Sequence, residues 1–191
     1  SIQMNKEDNK EEAPEQEQSI WRSLGGTLLY LLVIVLLTWV IVTFVGQRTK
    51  VDGHSMEPTL SDGDNLIVDK LSYRFREPER YDIIIFPGPE EFGQHPYYIK
   101  RIIGMPGETV QIKDGKVYIN DSETPLDDSF VSETPLGSFG PYEVPENCYF
   151  MMGDNRNNSK DSRYWQNTYV QFDQIVGKAE IRYFPSIKLL N

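Results

Sequence analysis

The hydrophobic pattern changes character along the chain. Ser1 to Ser19 is rich in Glu, Gln, Lys and Asn with almost no apolar residue, the composition of a tail that buries too little surface to fold. From Leu24 to Val45 there is no charged residue. As a helix this stretch would run about 33 Å, enough to cross the hydrocarbon core of a bilayer. A cleavable signal would have a shorter apolar region ending in a small-residue site, and this segment has neither. Residues 1–19 therefore read as a disordered tail and 20–46 as a transmembrane anchor helix. Beyond residue 50 the pattern switches to short apolar runs punctuated by Gly, Pro and Asp: NLIVDK, RYDIIIF, PYYIKRII, ETVQI, KVYIN, NCYFMM and IVGKAEIRYF. Runs rich in Ile, Val, Tyr and Phe with such boundaries predict strands, and so a mostly β domain over 47–191.

Two local features refine this picture. Asp114-Gly115, between Ile112 and Val117, supplies the positive φ of a tight hairpin turn. Asp121 to Asn147 is rich in Pro, Ser and Glu and contains SETPL twice, at Ser122–Leu126 and Ser132–Leu136. Two pentapeptides do not make a repeat architecture, and 121–147 reads as an extended surface excursion. The formal net charge of -10, with Lys and Arg scattered, argues against a nucleic-acid-binding face. The single cysteine, Cys148, forbids an internal disulfide. Set in the apolar run NCYFMM, it reads as a small core residue rather than a nucleophile.

Three segments could carry chemistry. GHSMEPTL, Gly53 to Leu60, places Ser55 a few residues beyond the apolar span. Pro58 disfavours helix at Glu57, so the segment is a turn or loop able to present a hydroxyl. Glu57 and Pro58 stand where the second glycine of the α/β-hydrolase G-x-S-x-G elbow would fall, which argues against that fold. In YYIKRII, strand alternation puts Tyr98, Lys100 and Ile102 on one face and Tyr97, Ile99, Arg101 and Ile103 on the other. A surface lysine blunting an edge strand is the ordinary reading. A buried one would have its pKa lowered, leaving an amine able to take a proton from a serine hydroxyl. The third segment, GDNRNNSKDSR from Gly153 to Arg163, lacks the Gly and Glu of a calcium-binding EF-hand loop, so no metal is expected there.

Taken together, the anchor, GHSMEPTL, GDNLIV, RYDIIIF, YYIKRIIGMPGE, FMMGDNRNNSKDSR and the closing IVGKAEIRYFP resemble the type I signal peptidases over nearly the whole chain. The resemblance implies a coiled antiparallel β-sheet domain behind one transmembrane helix. It implies that Ser55 attacks the scissile carbonyl, that Lys100 is its general base, and that Ser159 hydrogen-bonds and orients Lys100. Asp161 and Arg163 are implied to form an ion pair bracing the polar loop. The backbone N–H of Ser55 is implied as one oxyanion donor, while Gly53 occupies the position from which some relatives supply a second donor through a serine hydroxyl. Met56, Leu60 and Ile99 are implied to line shallow pockets for small residues one and three places before the cleaved bond, with Pro58 and Tyr98 as further substrate-binding positions. No cofactor is implied. The implied partners are preprotein signal peptides, the lipid bilayer and the protein translocation machinery. The implied location is the cell membrane, single-pass, with the N-terminus cytoplasmic and the catalytic domain outside. Charge alone does not set this orientation, since Lys6, Lys10 and Arg22 precede the span and Arg48 and Lys50 follow it.

Other readings stand beside this one. A histidine-based hydrolase would have only His54 and His95 to use, and His54, adjacent to Ser55 in an extended segment, would point away from it. Self-cleaving repressor proteases share Ser-Lys chemistry but carry a DNA-binding domain in place of an anchor. A non-catalytic tethered β domain would tolerate loss of Ser55.

Overall fold

Ile83–Phe86 is buried on both faces, as an unbroken aliphatic run must be if its strand lies inside a sheet. The computed structural model, which describes residues 2–3, 13–92 and 96–190, places it there. The chain forms two compact units that divide at Thr43/Phe44. The first is helix α1, Ala13–Phe44, whose apolar side chains are exposed along its length and which is long and apolar enough to cross a membrane. It begins at Ala13, so the expected tail is helical over its last residues; residues 1 and 4–12 of that tail lie outside the described residues.

The second unit is the β domain. Its strands are β1 (Gly46–Lys50), β2 (Asn65–Asp69), β3 (Ile83–Pro87), β4 (Tyr97–Gly104), β5 (Thr109–Lys113), β6 (Lys116–Ile119), β7 (Phe139–Glu143), β8 (Cys148–Met152), β9 (Tyr169–Gln171), β10 (Gly177–Phe184) and β11 (Lys188–Leu189). All the described pairings are antiparallel. The large sheet has the order β1-β2-β10-β3-β4-β8-β9 with β11 on β10, and a small sheet has the order β6-β5-β7. β10 shifts register twice against β2, irregularities that bend and coil a sheet.

One segment departs from the sequence-based expectation. The excursion at 121–147 contributes β7, which pairs with β5, and it lays Leu126 and Phe130 against the cluster around Ile103, Ile112 and Phe150. The Gly140-Pro141 pair inside β7 hid a strand. Asp114 and Gly115 do make the β5–β6 turn, both at positive φ. Cys148 is buried among apolar neighbours, and burial raises its thiol pKa.

The pairing of β4 decides where chemistry can occur. Along one side it runs against β3 from Tyr97 to Arg101. Along the other, β8 reaches only Arg101 to Gly104. Among the described residues, Tyr97 to Lys100 thus keeps an unpaired side, with backbone groups able to receive another strand. β4 is nonetheless an inner strand of the sheet order, and the Lys100 side chain is buried instead of blunting an exposed edge.

Candidate active site

Lys100 is 5% exposed. Its Nζ lies 2.6 Å from Ser55 Oγ and 5.4 Å from the centre of the Tyr98 ring. Burial lowers its pKa from 10.5 to about 8, because removing the ammonium from water penalises the charged form. Asp161 and Asp154 act in the opposite sense, and Arg163 adds to the lowering. The pair forms the floor of an open groove of about 870 Å³ whose walls include Thr49–Met56, Pro96–Ile99 and Asn157–Lys160.

The loop bearing Ser55 is held from below by the loop after β8. The Asn155 N–H donates to the Ser55 carbonyl at 2.9 Å, and Asn155 Nδ2 donates to the His54 carbonyl at 3.0 Å. Asp154, 1% exposed, accepts from Thr59 Oγ1 at 2.5 Å and from Arg101 Nε and Nη2 at 2.8 and 2.7 Å. One carboxylate therefore ties the Ser55 loop to the strand residue next to Lys100. Gly153 makes this approach possible: a Cβ there would stand 2.3 Å from Ser159 Oγ and 2.5 Å from the Ser55 carbonyl. Gly153→Ala is expected to push Ser55 off Lys100 and lower kcat by tenfold or more with an intact circular dichroism spectrum, a loss that steady-state kinetics would read.

Several expected positions fall elsewhere. The Ser159 hydroxyl donates to Asp161 Oδ2 at 2.8 Å and makes no hydrogen bond to Lys100 among the described residues. Asp161 and Arg163 do form a two-pronged pair, at 2.8 and 2.9 Å. Gly53 has φ +102 with open space over it, and its N–H donates to Asp62 Oδ1 at 2.9 Å, so that amide is already engaged. Met56, Ile99 and Tyr98 line the groove, whereas Pro58 and Leu60 do not. Leu60 is wholly buried with Val51, Leu66 and Ile83, and Pro58 is exposed. Of the histidines, His54 Nδ1 lies 2.7 Å from Glu57 Oε1 on the surface, a contact that raises its pKa; His95 lies outside the described residues.

The Arg101–Asp154–Thr59 link escaped the sequence reading. A period-two pattern puts Arg101 on the face opposite Lys100 but names no partner for it. The one available signal was a charged residue in the middle of an apolar strand, since buried charges are paired.

A buried amine against a loop hydroxyl, on the floor of an open groove, is the constellation that a serine hydrolase needs. A family model described as signal peptidase, peptidase S26, matches residues 24–184. A probable signal peptidase I-2 of Synechocystis sp. is 39% identical over 179 residues, covering 92% of this chain and 78% of the relative. Signal peptidase I of Leptolyngbya laminosa is 42% identical over 160 residues, 81% and 77% of the two chains. Signal peptidase I T of Bacillus subtilis is 36% identical over 188 residues, 94% of each. The enzyme class is thus a serine endopeptidase. The chain belongs to the signal peptidase family, peptidase S26.

Proposed function

We propose that this serine endopeptidase, whose family acts on signal peptides, works through a Ser55 acyl-enzyme with Lys100 as the general base, and that it cleaves after small residues of the Ala-X-Ala kind. The observation that carries the reading is the 2.6 Å contact between a hydroxyl and an amine that is buried and titrates at about 8. Neutral Lys100 takes the Ser55 proton as Oγ attacks the scissile carbonyl. The resulting ammonium then gives that proton to the leaving amine, and afterwards the neutral amine takes a proton from the water that releases the acyl group. The Ser55 N–H has no acceptor among the described residues and is free to receive the oxyanion.

The substrate backbone pairs with the open side of Tyr97–Lys100, and Met56 and Ile99 shape the shallow sites that admit small side chains. Helix α1 serves as the membrane anchor, with the N-terminus cytoplasmic and the β domain outside the cell membrane. Confinement to the bilayer surface brings enzyme and membrane-inserted signal peptide together without a search through solution. Delivery of preproteins by the translocation machinery fits that placement.

The pH dependence tests the lysine. kcat/KM is expected to rise tenfold per pH unit up to about 8, where Lys100 loses its proton, and then to level off. An acid limb retained unmoved in an active Lys100→His enzyme would remove Lys100 from the base role. Stability carries the same signature. Below pH 8 the amine is protonated in both states, and the folded state bears the cost of a buried ammonium. Between about 8 and 10.5 only the unfolded state holds the proton, so stability rises with pH. Lys100→Met is therefore expected to be inactive yet more stable than wild type at pH 7 by up to about 3 kcal/mol, an advantage that shrinks as urea melts are repeated toward pH 10.

A further inference from the structure

Three buried arginines, Arg101, Arg156 and Arg163, stand behind the loop that carries Ser55. A guanidinium taken out of water needs counter-charge or an aromatic face to stack on. Carboxylates supply part of this, Asp154 for Arg101 and Asp161 for Arg163. Arg156 has no carboxylate hydrogen-bonded to it among the described residues. Its Nε donates to the Gly153 carbonyl at 3.0 Å, and its Nη1 is buried with no acceptor. The excursion at 121–147 supplies aromatic faces. The centre of the Phe130 ring lies 4.2 Å from the guanidinium carbon of Arg101 and 5.7 Å from that of Arg156. The Phe139 ring lies 5.5 Å from that of Arg163, which also has the Tyr164 ring at 5.2 Å. Such cation–π contacts are stronger where water is excluded than at an open surface.

The two rings converge on one residue, Gly153. Arg156, beneath Phe130, holds the Gly153 carbonyl. Asp161, held by Arg163 beneath Phe139, accepts the Gly153 N–H at 3.0 Å. Arg163 Nη2 also donates to the Arg156 carbonyl at 2.8 Å, which joins the two halves. Gly153 is where this backbone packs on the nucleophile loop, since a Cβ there would stand 2.5 Å from the Ser55 carbonyl. Arg101, the second guanidinium on Phe130, reaches the same loop through Asp154 and Thr59. We propose that Phe130 and Phe139 are positioning residues for the cleavage reaction: by covering the guanidinium groups that fix Gly153 and Asp154, they hold the Ser55 hydroxyl against the Lys100 amine. This rests on the Ser55–Lys100 reading above and gives the excursion a part in it. Neither ring lines the groove, so the effect falls on kcat and not on KM. Leu126 is the internal contrast. It lies on the same excursion and packs on the same core cluster as the two rings, but its N–H is tied to the Val117 carbonyl and not to this network.

The test uses the full chain in detergent micelles and a preprotein with Ala one and three residues before the bond, with each variant assayed well below its own melting temperature. Phe130→Leu keeps the apolar bulk and removes the ring face; it is expected to lower kcat roughly tenfold with KM within about twofold of wild type. Phe130→Tyr restores a ring and should bring kcat back to within about threefold of wild type. Phe139→Leu should lose roughly fivefold, less than Phe130→Leu because Tyr164 still covers Arg163. Leu126→Ala should melt at a lower temperature than wild type with kcat unchanged. Folded Phe130→Leu with kcat within about twofold of wild type overturns the proposal. So does a Phe130→Tyr enzyme as slow as Phe130→Leu, or a Leu126→Ala enzyme that loses as much kcat, which would make core packing the cause. If Phe130→Leu does not fold, folded Phe139→Leu decides between the same outcomes. Undiminished cleavage by Ser55→Ala in this assay would instead overturn the reading of the site, so the two failures are told apart.

Discussion

Ser55→Ala is expected to lower kcat for signal-peptide cleavage by roughly 10⁴-fold or more, with KM little changed, and Lys100→Ala to do the same. The reason lies in the pairing. The serine hydroxyl is a weak nucleophile until its proton has somewhere to go, and the group 2.6 Å away is the Lys100 amine. Removing either member leaves only binding and the backbone donors. The double variant should therefore be no worse than either single one, since groups that act as a unit are not additive. A tenfold loss corresponds to about 1.36 kcal/mol of barrier, so the predicted defect is at least about 5 kcal/mol. Single-turnover kinetics on a purified preprotein would measure it. Retention of more than a few per cent of wild-type kcat by Ser55→Ala would leave the non-catalytic reading standing.

Asp154→Ala should be the most damaging change away from the pair. Its carboxylate accepts three hydrogen bonds, two from Arg101 and one from Thr59. Arg101 is 2% exposed and Arg156, close by, is 4% exposed; both guanidinium groups lie over the Phe130 ring, at 4.2 and 5.7 Å. Deleting the carboxylate takes from buried Arg101 its two-pronged acceptor, at a cost of up to about 3–5 kcal/mol. It also frees the Thr59 end of the loop that carries Ser55, so the variant should lose activity at temperatures where it is still folded. Asp154→Asn keeps the shape and part of the hydrogen bonding and should fall between the two. Urea melts combined with kcat read at 10 °C would separate the effects. An Asp154→Ala melt within about 1 kcal/mol of wild type would show that the other partners of Arg101, the Tyr81 carbonyl among them, suffice to hold it.

The boundary between what could and could not be read from the chain runs along the range of the interactions. Strand positions, the Asp114-Gly115 turn and the long apolar helix depend on neighbours a few residues away, and their signals are written locally: a period of two, a glycine able to take positive φ, a charge-free stretch. β7 was missed because a Pro- and Gly-rich strand has no such signal. Its pairing with β5 across the Ser122–Leu136 copies made it a strand. Alternation correctly placed Lys100 and Arg101 on opposite faces of β4, but it could not say that β8 stops at Arg101 and leaves the Tyr97–Lys100 side open.

By itself, then, the sequence determined the long apolar helix, the β character of the domain and, through the ordered boxes, the family. Tertiary structure alone decided that residues 45 positions apart come into contact, that Ser159 donates its hydroxyl to Asp161, and that of two residues buried in one core cluster, Leu60 and Met56, only Met56 also borders the groove. Burial is the physical reason. The pKa of a lysine, the partner of an arginine and the exposure of a leucine are set by whatever the fold brings from afar to exclude water.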